Sequence, residues 1–350
     1  MIKVGIIGCG VIAPTHIEGY RLLPDVEVVH LSDLKPERMA EKGDKYGIAR
    51  RSRDYRELLA DPEVQLVSIC TDHASHARIA VDALEAGKHV VCEKSLGRVQ
   101  EDLDAMVSAA AKHPELVASG IFQHRFEARN IRMKKLISEG AFGRILMVGL
   151  YFRCLRANDY YLKDEWRGTQ EGEGGGVLIN QAIHYLDQLR FLFGNVTSVS
   201  ARTANMTHQG VIDVEDTAVF TLAFEGGFGG TVSATNSSRE PWNSSLFFDG
   251  DLAALNYVNE SCEKTVSSDP AREERIRKTL AGEREETGIA GKSYYGTGHA
   301  AQLADVVEAI REKRAPGVTF AEAANTSSLV MAAYASARAG GAPVPVKIYR

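Results

Sequence analysis

Over the first third of the chain, short β-branched apolar runs alternate with helical patterns, the signature of a parallel sheet flanked by helices. Strands are predicted at residues 3–7, 26–31, 65–70, 89–92 and 116–122. Between them, residues 17–23, 36–46, 75–86 and 100–112 read as helices, each with Gly, Pro or Asp punctuation nearby. Five strands with intervening helices predict a doubly wound α/β unit over residues 1–122.

After Phe122 the pattern changes. A helix at 128–139 leads through Gly140 and Gly143 into a long alternating strand at 144–153. Beyond the cluster Gly172, Gly174, Gly175 and Gly176 comes a helix at 177–193, then strands at 196–204, 217–224, 227–235, 246–248 and 253–258. The Phe224-Glu225-Gly226-Gly227-Phe228 junction is a hairpin signal. Residues 123–350 are therefore expected to form an α+β domain around a large, mostly antiparallel open sheet. Residues 263–293, charged and containing Gly and Ser, read as a surface excursion or mobile loop. Helices at 299–312 and 320–339 and a strand at 344–348 close the chain.

Composition narrows the class. A length of 350 residues fits two domains, and 44% hydrophobic with 25% charged residues excludes wholesale disorder. No apolar run approaches the ~18–20 residues of a membrane helix. The first thirteen residues contain three glycines and read as a strand rather than a secretory leader. A formal charge of -5, without a clustered basic stretch, argues against nucleic acid and for a small-molecule or protein partner. Five scattered cysteines without a C-x-x-C pair point to a reducing, cytoplasmic compartment.

Gly8-Cys9-Gly10-Val11-Ile12-Ala13 follows the first strand and opens a helix. That is the context of the dinucleotide fingerprint: Gly8 for the tight turn, Gly10 for backbone approach to a pyrophosphate, Ala13 for close helix packing. The helix N-terminus adds free N–H groups and a positive dipole end. The same residues also suit a tight turn that binds nothing. Asp33 lies 25 residues after Gly8, near the position of the acid that binds an adenosine ribose. A carboxylate there favours NAD over NADP by repelling a 2′-phosphate; its alternative role is to cap the helix beginning near Pro36. No His, Cys or Asp cluster has convincing metal spacing.

Three further stretches make the pattern specific: Cys70-Thr71-Asp72-His73-Ala74-Ser75-His76, then Ala86 to Lys94 ending in Val91-Cys92-Glu93-Lys94, and Gly174-Gly175-Gly176-Val177-Leu178-Ile179-Asn180 running to His184. Together with Gln123-His124-Arg125-Phe126, Glu215-Asp216-Thr217 and the Gly298-His299 helix, they resemble the glucose–fructose oxidoreductase / inositol dehydrogenase (Gfo/Idh/MocA) family along the whole chain. The resemblance implies a Rossmann domain, a sheet domain for substrate binding and oligomerisation, and NAD(P)-linked chemistry on sugars and cyclitols.

The resemblance also implies roles for residues. Lys94 matches the Lys of the family's Glu-Lys-Pro motif and would polarise the reacting oxygen, with Ser95 in place of the Pro. His184 matches the catalytic His, and Asn180, one helical turn earlier, stands where the family often has Asp. Thr71, His73, His76 and Glu93, with Gly8, Gly10, Val11, Ile12, Asp33 and Lys94, would line the cofactor; Asp72 stands where Pro is common. Gln123, Arg125, Tyr161, Trp166, Arg167, Asn180, His184 and His299 would bind substrate, although Tyr161 and Trp166 also suit a core or interface. The implied activity is hydride transfer between NAD and a secondary alcohol or ketone on a sugar, glycoside or cyclitol. Two alternatives stand beside it: an enzyme that retains NAD and cleaves glycosides by oxidation and elimination, and a dinucleotide-sensing regulator that catalyses nothing. A homodimer or homotetramer through the second sheet is expected.

Overall fold

The computed structural model describes residues 1–281 and 298–350, which gather into two compact units. The first comprises Met1–Phe126, residues 298–324 and Tyr349–Arg350; the second holds residues 127–281 and Asn325–Ile348.

In the first unit, β1 (Ile2–Ile7), α1 (Ala13–Arg21), β2 (Val26–Ser32), α2 (Pro36–Tyr46), β3 (Arg50–Ser52), α3 (Tyr55–Ala60), β4 (Leu66–Ile69), α4 (His73–Glu85), β5 (His89–Cys92), α5 (Gln100–Lys112) and β6 (Ala118–Gly120) follow in order. The strands form one parallel sheet ordered β3-β2-β1-β4-β5-β6. The chain leaves β1 in one direction and returns to β4 on its other side, so the crevice between diverging loops opens at the carboxyl ends of these two strands. Every residue of β4 is buried, which is why its sequence is apolar without alternation. Local signals set the helices. Pro36 opens α2 and Gly47, at φ 69°, closes it in the left-handed conformation. Asp54 caps α3 and Asp72 caps α4 through the Ser75 N–H. Asp72 thus has a clear local task at the position where Pro is common.

β3 and α3 add to the elements read from sequence. β3 is a three-residue edge strand beginning Arg50-Arg51; its pairing with β2 supplies what its composition does not. α3, at six residues, is too short to show a period.

A 3-10 turn at Gln123–Phe126 precedes the second unit, which begins with α6 (Ala128–Ser138), β7 (Ile145–Leu155) and α7 (Asn158–Tyr161). A single π-helical turn, Leu178–Ala182, then runs into α8 (Ile183–Phe193). β8 (Val196–Ala204), β9 (Thr217–Phe224), β10 (Gly229–Thr235), β11 (Ser237–Gly250), β12 (Ala254–Val258), β13 (Ser261–Val266) and α9 (Pro270–Leu280) follow. The chain closes with α10 (Gly298–Glu312), α11 (Phe320–Arg338) and β14 (Val344–Pro345). Eight strands form a sheet ordered β13-β12-β11-β7-β10-β9-β8-β14, antiparallel except where β10 pairs with β7. Strand parity gives it two faces. Val148, Leu150, Phe152, Phe220, Leu222 and Val232 are buried on the face where Tyr185 of α8 stacks on Phe152 and Phe193 meets Phe248. Met147, Tyr151, Leu155 and Val219 point the other way and are exposed.

The hairpin at Phe224–Phe228 forms as expected, with Gly227 at φ 81° between β9 and β10. The expected excursion at 263–293 is corrected in part: its first residues complete β13, and Pro270–Leu280 is a helix capped by Asp269, while 282–293 lie outside the described residues. β11 extends well beyond 246–248 because its polar first half is held by β7 across an irregularity between Ser237 and Trp242. No helix among the described residues is long and apolar enough to cross a membrane.

Candidate active site

At the carboxyl end of β1, Gly8 adopts φ 93°, and a Cβ there would lie 2.6 Å from the Cys70 carbonyl carbon and oxygen. Gly10 differs: no protein atom lies within 4 Å of where its Cβ would stand. That space, next to an α1 N-terminus with no side-chain cap, fits the approach of a pyrophosphate to backbone N–H groups. Asp33 follows β2 and braces the loop. Its Oδ2 accepts the Cys9 N–H at 2.6 Å and its Oδ1 accepts the Lys35 N–H at 2.8 Å. A carboxylate has about four lone-pair positions, so capacity for ribose hydroxyls remains. The Cys9 thiol is pushed up to about 12 by burial and by Asp33, and is inert.

After β4, the Ser75 hydroxyl donates to Thr71 Oγ1 at 2.7 Å. His73 and His76 are buried. Burial lowers the His76 pKa; its Nδ1 lies 2.7 Å from the Ser95 carbonyl oxygen and its Nε2 3.3 Å from that of Thr71, contacts that brace the segment after Lys94. The Lys94–Ser95 peptide is cis. Glu93 Oε2 accepts the Lys94 N–H at 3.1 Å, and Glu93 Oε1 accepts from His16 Nε2 at 2.9 Å, with His299 Nε2 at 3.6 Å. Burial alone would raise the Glu93 carboxyl; the His16 hydrogen bond and the nearby His299 ring overcome it and hold the group well below the usual carboxylate range.

A carboxyl lowered in the folded state contributes stability that is fully present above the unfolded value of ~4.3 and is lost as pH falls toward the folded one. Thermal melts are therefore expected to fall steeply below about pH 4 in the native chain and less steeply in Glu93→Gln. Equal acid slopes would show that Glu93 does not carry this linkage.

His16 was not among the residues singled out from sequence. The available signal was its place on the buried face of α1, one turn before Tyr20. Gln123 is 2% exposed, and its Oε1 has no hydrogen-bond partner among the described residues, a polar atom that a ligand hydroxyl would satisfy. Arg125 pairs with Glu322 at 3.0 Å.

In the second unit, the glycine cluster is a packing requirement. A Cβ at Gly176 would lie 1.7 Å from the Glu215 carbonyl oxygen, and one at Gly175 would lie 2.0 Å from the Tyr334 hydroxyl. The buried Glu215 carboxylate accepts the Gly176 and Leu178 N–H groups at 2.8 and 3.0 Å and the Tyr334 hydroxyl at 2.9 Å, capping the entry to the π-helical turn. Burial raises the Glu215 pKa. Such turns interrupt helices chiefly at functional positions, and Asn180 stands inside this one. Its amide Nδ2 donates to Glu173 Oε1 and to the Tyr160 hydroxyl at 3.2 Å, so both amide protons are engaged.

Tyr160, rather than Tyr161, joins this group. Its hydroxyl accepts from Arg167 Nη1 at 2.6 Å, and the Arg156 and Arg167 guanidinium groups lie 5.0 and 4.7 Å from its ring centre. Tyr161 belongs to a small core with Ile212 and Val214, and its hydroxyl accepts from Asn236 at 2.7 Å. Sequence spacing could not separate two adjacent tyrosines; the turn of α7 does. Arg167 also lies 4.6 Å from the Trp166 ring. His184 is half-buried in the first turn of α8, whereas Asp187 is fully buried and accepts the Thr326 hydroxyl at 2.7 Å.

Residues 2–121 match the oxidoreductase family profile of the NAD-binding Rossmann fold, and residues 131–256 match the GFO/IDH/MocA C-terminal domain. The chain is 30% identical over 269 residues to the levoglucosan dehydrogenase of Pseudarthrobacter phenanthrenivorans, spanning 68% of each chain. It is 28% identical over 242 residues to the myo-inositol 2-dehydrogenase of Thermotoga maritima, spanning 68% of this chain and 69% of that one. The solved structure of the WlbA dehydrogenase from Bordetella pertussis, in complex with NADH and UDP-GlcNAcA, superposes with a TM-score of 0.89 at 29% identity, covering 99% of this chain and 98% of that one. With both halves matched, this chain belongs to the Gfo/Idh/MocA family of NAD-binding oxidoreductases.

Proposed function

We propose that this protein is an NAD-dependent dehydrogenase that oxidises a secondary hydroxyl on a sugar, sugar derivative or cyclitol, or reduces the corresponding ketone. The reading rests on Lys94, which stands just past the carboxyl end of β5 on the edge that carries the glycine loop and Asp33. NAD, when bound, supplies the hydride acceptor. In this reading Lys94 donates a hydrogen bond to the reacting oxygen and stabilises its developing negative charge. His184 takes the hydroxyl proton. Asn180, whose amide is held by Glu173 and Tyr160, orients a substrate hydroxyl. Gln123 and Arg167 add polar groups suited to a polyol, and Trp166 a flat apolar face. The relatives are named as dehydrogenases of levoglucosan and of myo-inositol, which favours net redox over oxidation and elimination.

The test is NADH formation at 340 nm with purified protein, NAD or NADP, and a panel of cyclitols, free hexoses, anhydrosugars and nucleotide sugars. Turnover with a polyol class supports the reading. Tight NAD binding with silence across the panel and release of an aglycone from glycosides would replace it with the retained-cofactor route. In the same assay, Asp33→Ser is expected to weaken NAD by about tenfold, a loss of ~1.4 kcal/mol, and to narrow the preference over NADP. An unchanged preference would remove Asp33 from the ribose site.

The second sheet's outer face, with Met147, Tyr151, Leu155 and Val219 exposed, fits self-association as a dimer or tetramer. Light scattering on Tyr151→Glu is expected to give a smaller species than the native chain; the same mass for both would exclude this face. Five free thiols, four of them buried, fit a reducing cytoplasmic compartment.

A further inference from the structure

Behind Lys94 the first unit buries a concentration of titratable groups contributed by four separate elements. His16 and Tyr20 come from α1, Ser68 from β4, Glu93 from the end of β5 and His299 from α10. His16 is 0% exposed and Glu93 6%. The Tyr20 hydroxyl lies 2.8 Å from Ser68 Oγ, which lies 3.2 Å from His16 Nδ1; His16 Nε2 lies 2.9 Å from Glu93 Oε1. One set of protons satisfies every link: Tyr20 donates to Ser68, Ser68 to Nδ1, and the Nε2–H to the carboxylate. The second carboxylate oxygen takes the Lys94 N–H. Desolvating such a carboxylate is expensive, and well-packed apolar residues in its place would be no worse for stability. The arrangement therefore calls for a role beyond holding the fold, and the one group it addresses directly is Lys94.

We propose that His16 and His299 are positioning residues, which hold the Glu93 carboxylate ionised so that it fixes the Lys94 backbone and keeps the Lys94 amine protonated for the reaction. The proposal rests on the assignment of Lys94 above. A permanent negative charge on the adjacent residue favours the ammonium form, the form that donates to a developing alkoxide. Among the described residues, the thiols of Cys70 and Cys92 and the His76 ring also face Glu93, all buried. The thiols are held neutral by burial, so the two histidines are the donors that decide the state of the carboxylate.

The experiment is competitive acetic anhydride labelling of Lys94 across pH, read by peptide mass spectrometry on the full-length native chain and on His16→Leu, His16→Gln and Glu93→Gln. The Lys94 labelling midpoint is expected to move down in His16→Leu and Glu93→Gln. In His16→Gln, whose amide still reaches the carboxylate as a donor, it returns toward the native value. In parallel kinetics His16→Leu is expected to lose about a hundredfold in kcat with KM and NADH affinity little changed, the pattern of a misplaced catalytic group, and His16→Gln to recover most of it. A lowered melting temperature with an unmoved midpoint and unchanged kcat would overturn the proposal and leave a purely structural cluster. A moved midpoint in a protein that turns over no polyol would uphold the positioning role and sink the dehydrogenase reading. Should His16→Leu fail to fold, Glu93→Gln removes the carboxylate charge while keeping the side-chain size and carries the test alone: an unmoved Lys94 midpoint in it would overturn the proposal.

Discussion

Lys94→Ala and His184→Ala are each expected to lower kcat by about 10²–10⁴-fold while NADH still binds. For Lys94 the loss is that of a preorganised hydrogen bond to an oxygen that becomes negative only as the reaction proceeds, so kcat falls more than KM rises. Lys94→Arg is not expected to rescue it, because the guanidinium is broader and its donors are fixed in a fork. For His184 the loss is that of the imidazole base that takes the hydroxyl proton. The rate in His184→Ala is accordingly expected to rise with pH as hydroxide takes over, a readout that a mere packing defect would not give. Stopped-flow kinetics with the substrate found in the panel, alongside fluorescence titration of NADH, measures both quantities. Near-native turnover in either single variant would remove that residue from the reaction.

Gly8→Ala is expected to cost about 2–5 kcal/mol of stability, from ~1–2 for a side chain in the left-handed region and ~1–3 for overpacking. The new Cβ would meet Cys70 carbonyl atoms at 2.6 Å and the Thr71 N at 2.8 Å, all main-chain atoms at the end of β4 that cannot swing aside. Gly10→Ala has no such obstacle, since its Cβ would enter open space. Its stability is expected to stay within about 0.5 kcal/mol of the native chain, whereas NADH affinity drops because the methyl occupies room that the pyrophosphate needs. Urea unfolding and NADH titration on the pair separate two roles within one short motif, packing at Gly8 and the proposed pyrophosphate contact at Gly10. Native NADH affinity in Gly10→Ala would mean that the phosphates lie elsewhere.

Much of this molecule is written locally. The order of strands and helices in the first unit follows from apolar runs and their punctuation, and α2, α5 and β5 fall at their expected residues because their ends carry clear signals: Pro36 and Gly47 for α2, an acidic first turn after Val99 for α5. The glycine loop and Asp33 were legible because each needs only a strand end and a fixed spacing. β3 and the polar half of β11 were not, since both are strands by virtue of their neighbours' hydrogen bonds rather than their own side chains.

The candidate site divides the same way. Lys94, Asn180 and His184 stand out as sequence positions, but what each can do is set by partners distant in the chain. Glu173, seven residues before Asn180, and Tyr160, twenty before it, engage the amide protons. Tyr160 displaces Tyr161 from that group because one residue of rotation along a helix changes the face a side chain occupies. His16 and Glu93, 77 residues apart, become a pair only when α1 lies across the end of β5. Sequence determined most of the elements, the class of each sheet and the residue types available for chemistry, since these depend on period, punctuation and near-neighbour geometry. Charge state, donor direction and burial were decided by the tertiary structure alone, because desolvation and hydrogen bonding depend on which remote groups share the same few ångströms.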